Sequence, residues 1–387
     1  MKRSVVVVGA GLAGARMCVE LRSVGYEGEI LLIGSERHAP YNRPPLTKHG
    51  LLAAVDTNLG IDFEALGVDC SLGESALALD RERRRVQTDR REISYDTLVL
   101  ATGAEPISLP GPGAQLCVRT SEDAERARMQ LVPSRRVVVI GAGWIGAEIA
   151  SAALTRGCHV TCLEGAAAPL ASQFGEEVAA RFLPWWRDVN LLTRVRVAEV
   201  VADGVILADG DKVLADVIIA SVGVRPATDW LADSGLARRR GAVVVDERRR
   251  SSDPNIFAIG DCAIRWSPRY GAWMPGGHWD EAVQGAVAGA GAIVGTDVIN
   301  DKIPYLWSEQ FGRRLLYVGR ADTADRHVVR LVDDDPEKWG VAWLDDDNHL
   351  VAHLSVNHPL AFAAARRAIE AGQPVDERKL PSLDIEL

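Results

Sequence analysis

Two glycine-rich hexapeptides carry the clearest chemistry in this chain, Gly9-Ala10-Gly11-Leu12-Ala13-Gly14 and Gly141-Ala142-Gly143-Trp144-Ile145-Gly146. In each, the first glycine permits a tight turn, the second lets the backbone approach a pyrophosphate, and the third lets a helix pack on a strand. The phosphates then sit at a helix N-terminus, where free N–H groups and the helix dipole favour negative charge. An acid about 20 residues further on accepts ribose hydroxyls. Glu36 and Glu164 occupy that zone, and a solvated surface carboxylate is the alternative for each. Glu164 directly ends an apolar run, whereas Ser35 intervenes before Glu36. Gly165-Ala166-Ala167-Ala168-Pro169 follows Glu164, with no Arg or Lys to meet a 2′-phosphate. NADH is therefore expected to be preferred over NADPH, because the carboxylate repels that phosphate and nothing offsets the repulsion.

The elements that must position these glycines repeat. Ser4 to Val8 is a short β-branched run, Ala15 to Val24 reads as a helix and Glu29 to Ile33 as a second strand. Val137 to Ile140, a helix over Ala147 to Arg156 and a strand over His159 to Leu163 repeat that βαβ pattern. Two dinucleotide folds are implied. Thr97 to Gly103, ending in Ala101-Thr102-Gly103, and Asp216 to Val222, ending in Gly223-Val224-Arg225-Pro226, read as strands leading into domain crossovers. Asp253-Pro254-Asn255 precedes a strand over Ile256 to Ile259 and then Gly260-Asp261-Cys262-Ala263. Asp261 sits where that strand stops, placed either to accept a polyol hydroxyl or to cap a helix. From about Pro304, apolar runs at Leu315 to Val318, Val328 to Val332, Gly340 to Leu344 and Val351 to Leu354 alternate with polar turns, an antiparallel pattern closed by an amphipathic helix over Pro359 to Ala371. The Asp333-Asp334-Asp335 and Asp345-Asp346-Asp347 runs read as solvated loops.

With 387 residues, 47% hydrophobic and 25% charged, the composition excludes a disordered tail or a disulfide-stapled miniprotein and suggests two to three domains. The net charge of −9 disfavours nucleic acid or an anionic membrane as the main partner. Six cysteines are dispersed with no C-x-x-C pair and no His cluster at ligand spacing, so no metal site is expected and a reducing cytoplasm fits best. Met1-Lys2-Arg3 before an apolar run imitates a secretory signal, but the glycines that follow argue for a strand and turn. Ala282 to Thr296 falls short of the ~18 apolar residues a membrane span needs.

Joined to the two hexapeptides, the segments IGSERHAPYNRPPLTK (Ile33 to Lys48), ATG at Ala101, IFAIGDCA at Ile256 and YLWSEQ at Tyr305 resemble the oxygenase-coupled ferredoxin reductases. The resemblance runs over essentially the whole chain. It implies an α/β fold of two Rossmann-like dinucleotide-binding domains, glutathione-reductase-like, with a small α+β C-terminal domain. The expected division is residues 1–107 and 229–298 for a discontinuous FAD domain, 108–228 for an NADH domain and 299–387 for an interface domain.

The resemblance further implies that FAD lies on Gly9, Gly11, Leu12, Ala13, Gly14, Ser35, Glu36, Arg43, Pro44, Lys48, Ala101, Thr102, Gly103, Arg119, Gly260 and Asp261. Ala76 would offer backbone to the adenine, and His278 and Trp279 backbone to the flavin ring. Gly141, Gly143, Trp144, Ile145, Gly146, Glu148, Glu164 and Gly223 would line the NADH site, and Trp307 would stand beside the flavin and the partner-facing surface. Lys48 and Glu148 are the expected catalytic pair, Lys48 stabilising anionic reduced flavin and Glu148 holding either Lys48 or the nicotinamide carboxamide. A helix-surface Glu148 and an exposed Lys48 are the alternative. Pro44 and Pro45 lack backbone donors and fix φ, as a rigid wall beside the ring or simply as a stiff turn. Two departures stand out. The FAD-ribose acid usually follows the glycine matching Gly34 directly, a slot held here by Ser35, and the stretch between Lys48 and Ala76 is short.

Disulfide reductases of this architecture carry a redox cysteine pair soon after the first βαβ unit, and His38 to Gly50 holds no cysteine. Electrons must then leave the flavin to oxygen, to a soluble acceptor or singly to a redox protein. The expected activity is NADH:ferredoxin oxidoreductase, feeding a cytochrome P450 or a Rieske-type oxygenase through a small, acidic [2Fe–2S] ferredoxin, with the protein a monomer or homodimer. Arg313 and Arg314 are expected either as a cationic docking rim near Trp307 or as two solvated strand arginines. The alternatives are a rubredoxin reductase or NADH oxidase of the same fold, or a non-enzymatic NADH-responsive flavoprotein module.

Overall fold

The computed structural model describes residues 4–296, 301–332 and 335–376. The chain clusters into two compact units, the first holding Met1–Asn42, Thr57–Glu105 and Val224–Lys302, the second Arg43–Asp56, Pro106–Gly223 and Ile303–Leu387. Residues 43–56, with Pro44 and Lys48, thus belong to the unit of the second hexapeptide.

The first unit is built on a five-stranded parallel sheet in the order Ile256–Ala258, Thr97–Leu100, Ser4–Val8, Glu29–Gly34, Val68–Leu72. Both faces are covered, so the central strands read as unbroken apolar runs and not as alternating ones. On one face, Val5, Val7 and Val99 pack with Met17, Cys18 and Leu21 of the helix Leu12–Ser23 and with Ala282, Ala286 and Ala290 of the helix Trp279–Val294. The small residues of the second helix allow close approach: a Cβ on Gly289 would lie 2.8 Å from the Met17 thioether methyl. On the other face, Val6, Val8 and Leu98 meet Val86, Ile93, Leu231 and Val243.

The second unit repeats the design in a parallel sheet ordered Asn190–Leu192, His159–Leu163, Arg136–Ile140, Val217–Ala220. A helix over Trp144–Thr155 buries Ala147, Ile149, Ala150 and Ala153. The same unit carries a five-stranded antiparallel sheet, Tyr305–Gln310, Arg313–Gly319, Leu350–Val356, Asp335–Leu344 and Arg326–Val332, covered by the helix Pro359–Ala371 through Ala365, Ala368 and Ile369.

The architecture is the expected α/β class, with local differences. Both fingerprint helices begin inside the glycine hexapeptide, at Leu12 and Trp144 and not at Ala15 and Ala147, because the middle glycine supplies the N-cap and its carbonyl accepts Ala15 N–H at 2.9 Å and Ala147 N–H at 3.0 Å. Asp335 opens a strand instead of closing a solvated loop; Asp333 and Asp334 lie outside the described residues. Among the described residues no helix is long and apolar enough to cross a membrane, and Ala282 to Thr296 falls mostly in the helix packed on the first sheet.

Candidate active site

The first cradle forms where the strand Ser4–Val8 turns into its helix. Gly9 sits at φ +115°, a conformation that side chains disfavour, and a Cβ there would lie 2.2 Å from the Ala101 carbonyl oxygen. A Cβ on Gly14 would lie 1.9 Å from the Gly9 carbonyl oxygen. Gly11 between them faces open space, with nothing within 4 Å of the corresponding point. Ala101, Thr102 and Gly103 continue from the neighbouring strand, and Thr102 Oγ1 donates to the Ala227 carbonyl at 2.7 Å.

At the end of Glu29–Gly34, Ser35 is exposed and Glu36 half-buried, its Oε2 accepting from the Tyr41 hydroxyl at 2.5 Å. Ala76 opens a peripheral strand, Ala76–Asp80. Gly260, Asp261 and Cys262 form a single 3-10 turn, so Asp261 caps no α-helix. The Cys262 thiol donates to the Ile259 carbonyl at 3.2 Å, and burial pushes its pKa up. His278 is the N-cap residue of the helix Trp279–Val294, and Trp279 Nε1 donates to Asn42 Oδ1 at 3.0 Å. Burial lowers the His278 pKa, against the opposing pull of Asp261, Glu281 and Asp280, which favours a neutral imidazole.

The second cradle repeats the first. Gly141 lies at φ +98° with its Cβ point 2.4 Å from the Ser221 carbonyl oxygen, the Gly146 point is 1.8 Å from the Gly141 carbonyl oxygen, and Gly143 is open. Glu164 accepts Ala142 N–H at 2.6 Å on Oε2 and Ala166 N–H at 2.7 Å on Oε1, clamping the loop it follows. Ile145 is exposed beside the open glycine, and Trp144 packs edge-on against Phe174 with centroids 5.6 Å apart. Gly223, after the strand Val217–Ala220, accepts Ile107 N–H at 3.1 Å.

Within this unit lies a buried ion pair. Lys48 Nζ is 2.9 Å from Glu148 Oε1, and both side chains are nearly enclosed, so neither is a surface residue. Ser308 Oγ donates to the same Oε1 at 2.5 Å, and Thr47 Oγ1 donates to Oε2. Lys48 follows the short 3-10 helix Pro44–Thr47, which has Pro44 at its first position, and its Nζ also reaches the Pro44 carbonyl at 3.3 Å. Arg43 donates to the Arg119 carbonyl at 2.7 Å. Trp307 is half-buried and stacks on Tyr305 with centroids 6.2 Å apart.

Arg313 does not supply a free cationic rim. It pairs with Glu337 at 2.5 Å, donates to the Phe311 carbonyl at 2.9 Å and covers the Trp185 ring at 5.0 Å. Only Arg314 of the two is exposed, with no ion pair among the described residues. The pattern reading missed Thr47, Ser308 and Gln310. The available signal was in YLWSEQ: strand alternation turns Ser308 and Gln310 inward and Glu309 outward, and two buried polar residues on one strand face require partners.

Each cradle thus has outer glycines filled by its own backbone and a middle glycine left open, with an acid at the end of the next strand, which fits a dinucleotide in each. Such a pair of folds defines the class of glutathione-reductase-like FAD- and NADH-using oxidoreductases. The family description pyridine nucleotide-disulphide oxidoreductase matches residues 3–287, and reductase C-terminal matches residues 305–387. The chain is 33% identical to rhodocoxin reductase of Rhodococcus erythropolis, covering 99% of this chain and 93% of that protein. The structure titled "Crystal structure of Fdr9" superposes with a TM-score of 0.95 at 47% identity, covering 100% of this chain and 99% of that one. The putidaredoxin reductase in a covalent complex with putidaredoxin superposes with a TM-score of 0.92 at 32% identity, covering 98% and 95%. The chain belongs to the pyridine nucleotide-disulphide oxidoreductase family and carries a reductase C-terminal domain.

Proposed function

We propose that the protein is an NADH-dependent, FAD-containing ferredoxin reductase that passes electrons to a small [2Fe–2S] ferredoxin serving a cytochrome P450 or a Rieske-type oxygenase. The observation that carries the reading is the buried Lys48–Glu148 pair, with Lys48 in a cysteine-free segment where a disulfide reductase would carry its cysteines. When bound, FAD supplies the conversion of a two-electron hydride into single electrons. FAD belongs on the open backbone at Gly11, with Asp261 accepting a ribityl hydroxyl and the N-cap backbone of His278 and Trp279 facing the ring. A neutral His278 adds no charge there. NADH belongs on Gly143, with Glu164 taking ribose hydroxyls on its remaining lone pairs and excluding a 2′-phosphate.

Lys48 would supply a positive charge toward bound FAD, and Glu148, 2.9 Å away, would keep that ammonium aimed. Trp307 and the exposed Arg314 belong to the face an acidic ferredoxin approaches. Six unpaired cysteines, three of which have pKa values that burial pushes up markedly, suit a reducing cytoplasm.

Anaerobic NADH should bleach the yellow protein, and cytochrome c reduction should appear only when a [2Fe–2S] ferredoxin is added. Equal cytochrome c turnover without the ferredoxin would refute the acceptor. In Lys48→Met, stopped-flow flavin reduction should slow by about tenfold or more, the loss of roughly one charge-assisted interaction. An unchanged rate and flavin potential would remove Lys48 from the chemistry.

A further inference from the structure

The C-terminal sheet reaches the same ion pair from the opposite side. Ser308 is fully buried, and its hydroxyl carries one proton and two lone pairs. Gln310, two residues along and also buried, donates its amide N–H to Ser308 Oγ at 3.0 Å. A lone pair of the hydroxyl is thereby occupied, and its single proton is directed to Glu148 Oε1. Among the described residues, the polar partners of the Glu148 carboxylate are all donors: the Lys48 ammonium, the Ser308 hydroxyl and the Thr47 hydroxyl. A protonated Glu148 would find no acceptor among these partners unless a hydroxyl turned away.

The other charged groups of the packed elements are directed elsewhere. His49 and Glu309 face each other at 3.4 Å on the exposed side, Arg128 donates to the Gly50 carbonyl at 2.9 Å, and Arg156 donates to the Leu52 carbonyl at 2.8 Å. Lys48 is therefore the one charge among the described residues that meets the Glu148 carboxylate directly.

We propose that Ser308, oriented by Gln310, is a positioning residue that keeps the Glu148 carboxylate aimed at Lys48, so that the C-terminal sheet sets the geometry of the pair. The proposal rests on the reading of Lys48 and Glu148 given above. It assigns the C-terminal domain a part in the nicotinamide half of the reaction, besides any part in meeting the ferredoxin.

The test follows the infrared carboxyl C=O band of Glu148 in the flavin-loaded protein through a pH titration, the band being assigned by its loss in Glu148→Gln. Removal of one hydrogen bond to a buried anion should raise the midpoint in Ser308→Ala by about one pH unit. Gln310→Leu should raise it by less, and Ser308→Thr, which keeps the hydroxyl, should restore the parent value. The pH profile of flavin reduction by NADH should move in the same direction and order. An unmoved band in Ser308→Ala, or an equal shift in Ser308→Thr, overturns the proposal. If Ser308→Ala does not fold, Gln310→Leu decides alone, and an unmoved band there overturns it. Failure of the underlying reading looks different: flavin reduction in Lys48→Met would be unchanged while the infrared shifts persisted.

Discussion

The two cradles share one glycine geometry and differ in what they do with their acid. In the second unit, Glu164 spends both carboxylate oxygens on backbone N–H groups of its own loop, at 2.6 and 2.7 Å. In the first, the acid arrives one residue later and Glu36 is held by a side chain, the Tyr41 hydroxyl. The strongly held carboxylate of the first unit is a different residue, Glu74, which accepts from Thr88 Oγ1 at 2.7 Å, from Arg91 at 3.1 and 3.2 Å and from Ser71. A repeated fold can therefore be stabilised by one carboxylate and bind with another, or ask both of the same group. On the proposed assignment, the second unit asks both of Glu164.

The largest effects should come from the glycines that the two cradles treat alike. Gly9→Ala and Gly141→Ala each force a side chain into a left-handed conformation against backbone 2.2 or 2.4 Å away, at a cost of about 3 kcal/mol or more. Their outcomes should separate the units. Gly9→Ala should yield colourless or unfolded protein, whereas Gly141→Ala should stay yellow and lose reduction by NADH; an absorption spectrum with and without NADH decides. The open middle glycines come next. Gly11→Ala and Gly143→Ala meet nothing within 4 Å, so the Tm of the cofactor-free protein should hold, while FAD and NADH affinity respectively fall by about 100-fold, the loss of close backbone contact with a pyrophosphate. Normal affinity in either variant would show that the open point is not where phosphate sits.

A smaller, pH-dependent effect should mark the first unit. Burial works against ionisation of Glu74, but hydrogen bonds from Arg91, Ser71 and Thr88 outweigh it, and the carboxyl is pulled down to about 2. Because the folded value lies below the ordinary 4.5, the contribution is complete above that pH and is lost as pH falls toward 2. With the half-exposed Arg91 discounted for solvent screening, about 2 kcal/mol is at stake. Urea unfolding should show the parent losing much of that increment by about pH 3 and the rest toward pH 2, and Glu74→Gln starting without it.

Strand and helix placement was legible because parallel sheets covered on both faces write themselves as continuous apolar runs, as at Val5 to Val8 and Val137 to Ile140. The starts of the helices were not, since Leu12 and Trp144 lie inside glycine motifs whose helical character comes from carbonyls one turn back. Side-chain partners far apart in the chain left no trace in local pattern. Thr47 and Ser308 meet Glu148 across 101 and 160 residues, and only family resemblance suggested even the Lys48 pairing. Arg313 misled for the same reason: its neutralising Glu337 is 24 residues away, so nothing beside it in the chain shows that its charge is matched.

The finest distinction between the cradles lies in a substitution that changes one atom. Glu164→Gln keeps an oxygen for one of its two backbone donors but turns an NH2 group toward the other, so two donors face each other and the loop loses a hydrogen bond. NADH affinity should drop by about tenfold, and discrimination against NADPH should shrink more than affinity does, because the charge that repels the 2′-phosphate goes too. Glu36→Gln should be milder for FAD, since the Tyr41 hydroxyl can still donate to the amide oxygen. Steady-state kcat/KM for both nucleotides and a flavin-release titration give the comparison. If Glu36→Gln proved the more damaging, the late acid of the first unit would be a ribose ligand despite its displaced position, and the asymmetry drawn between the two carboxylates would fail.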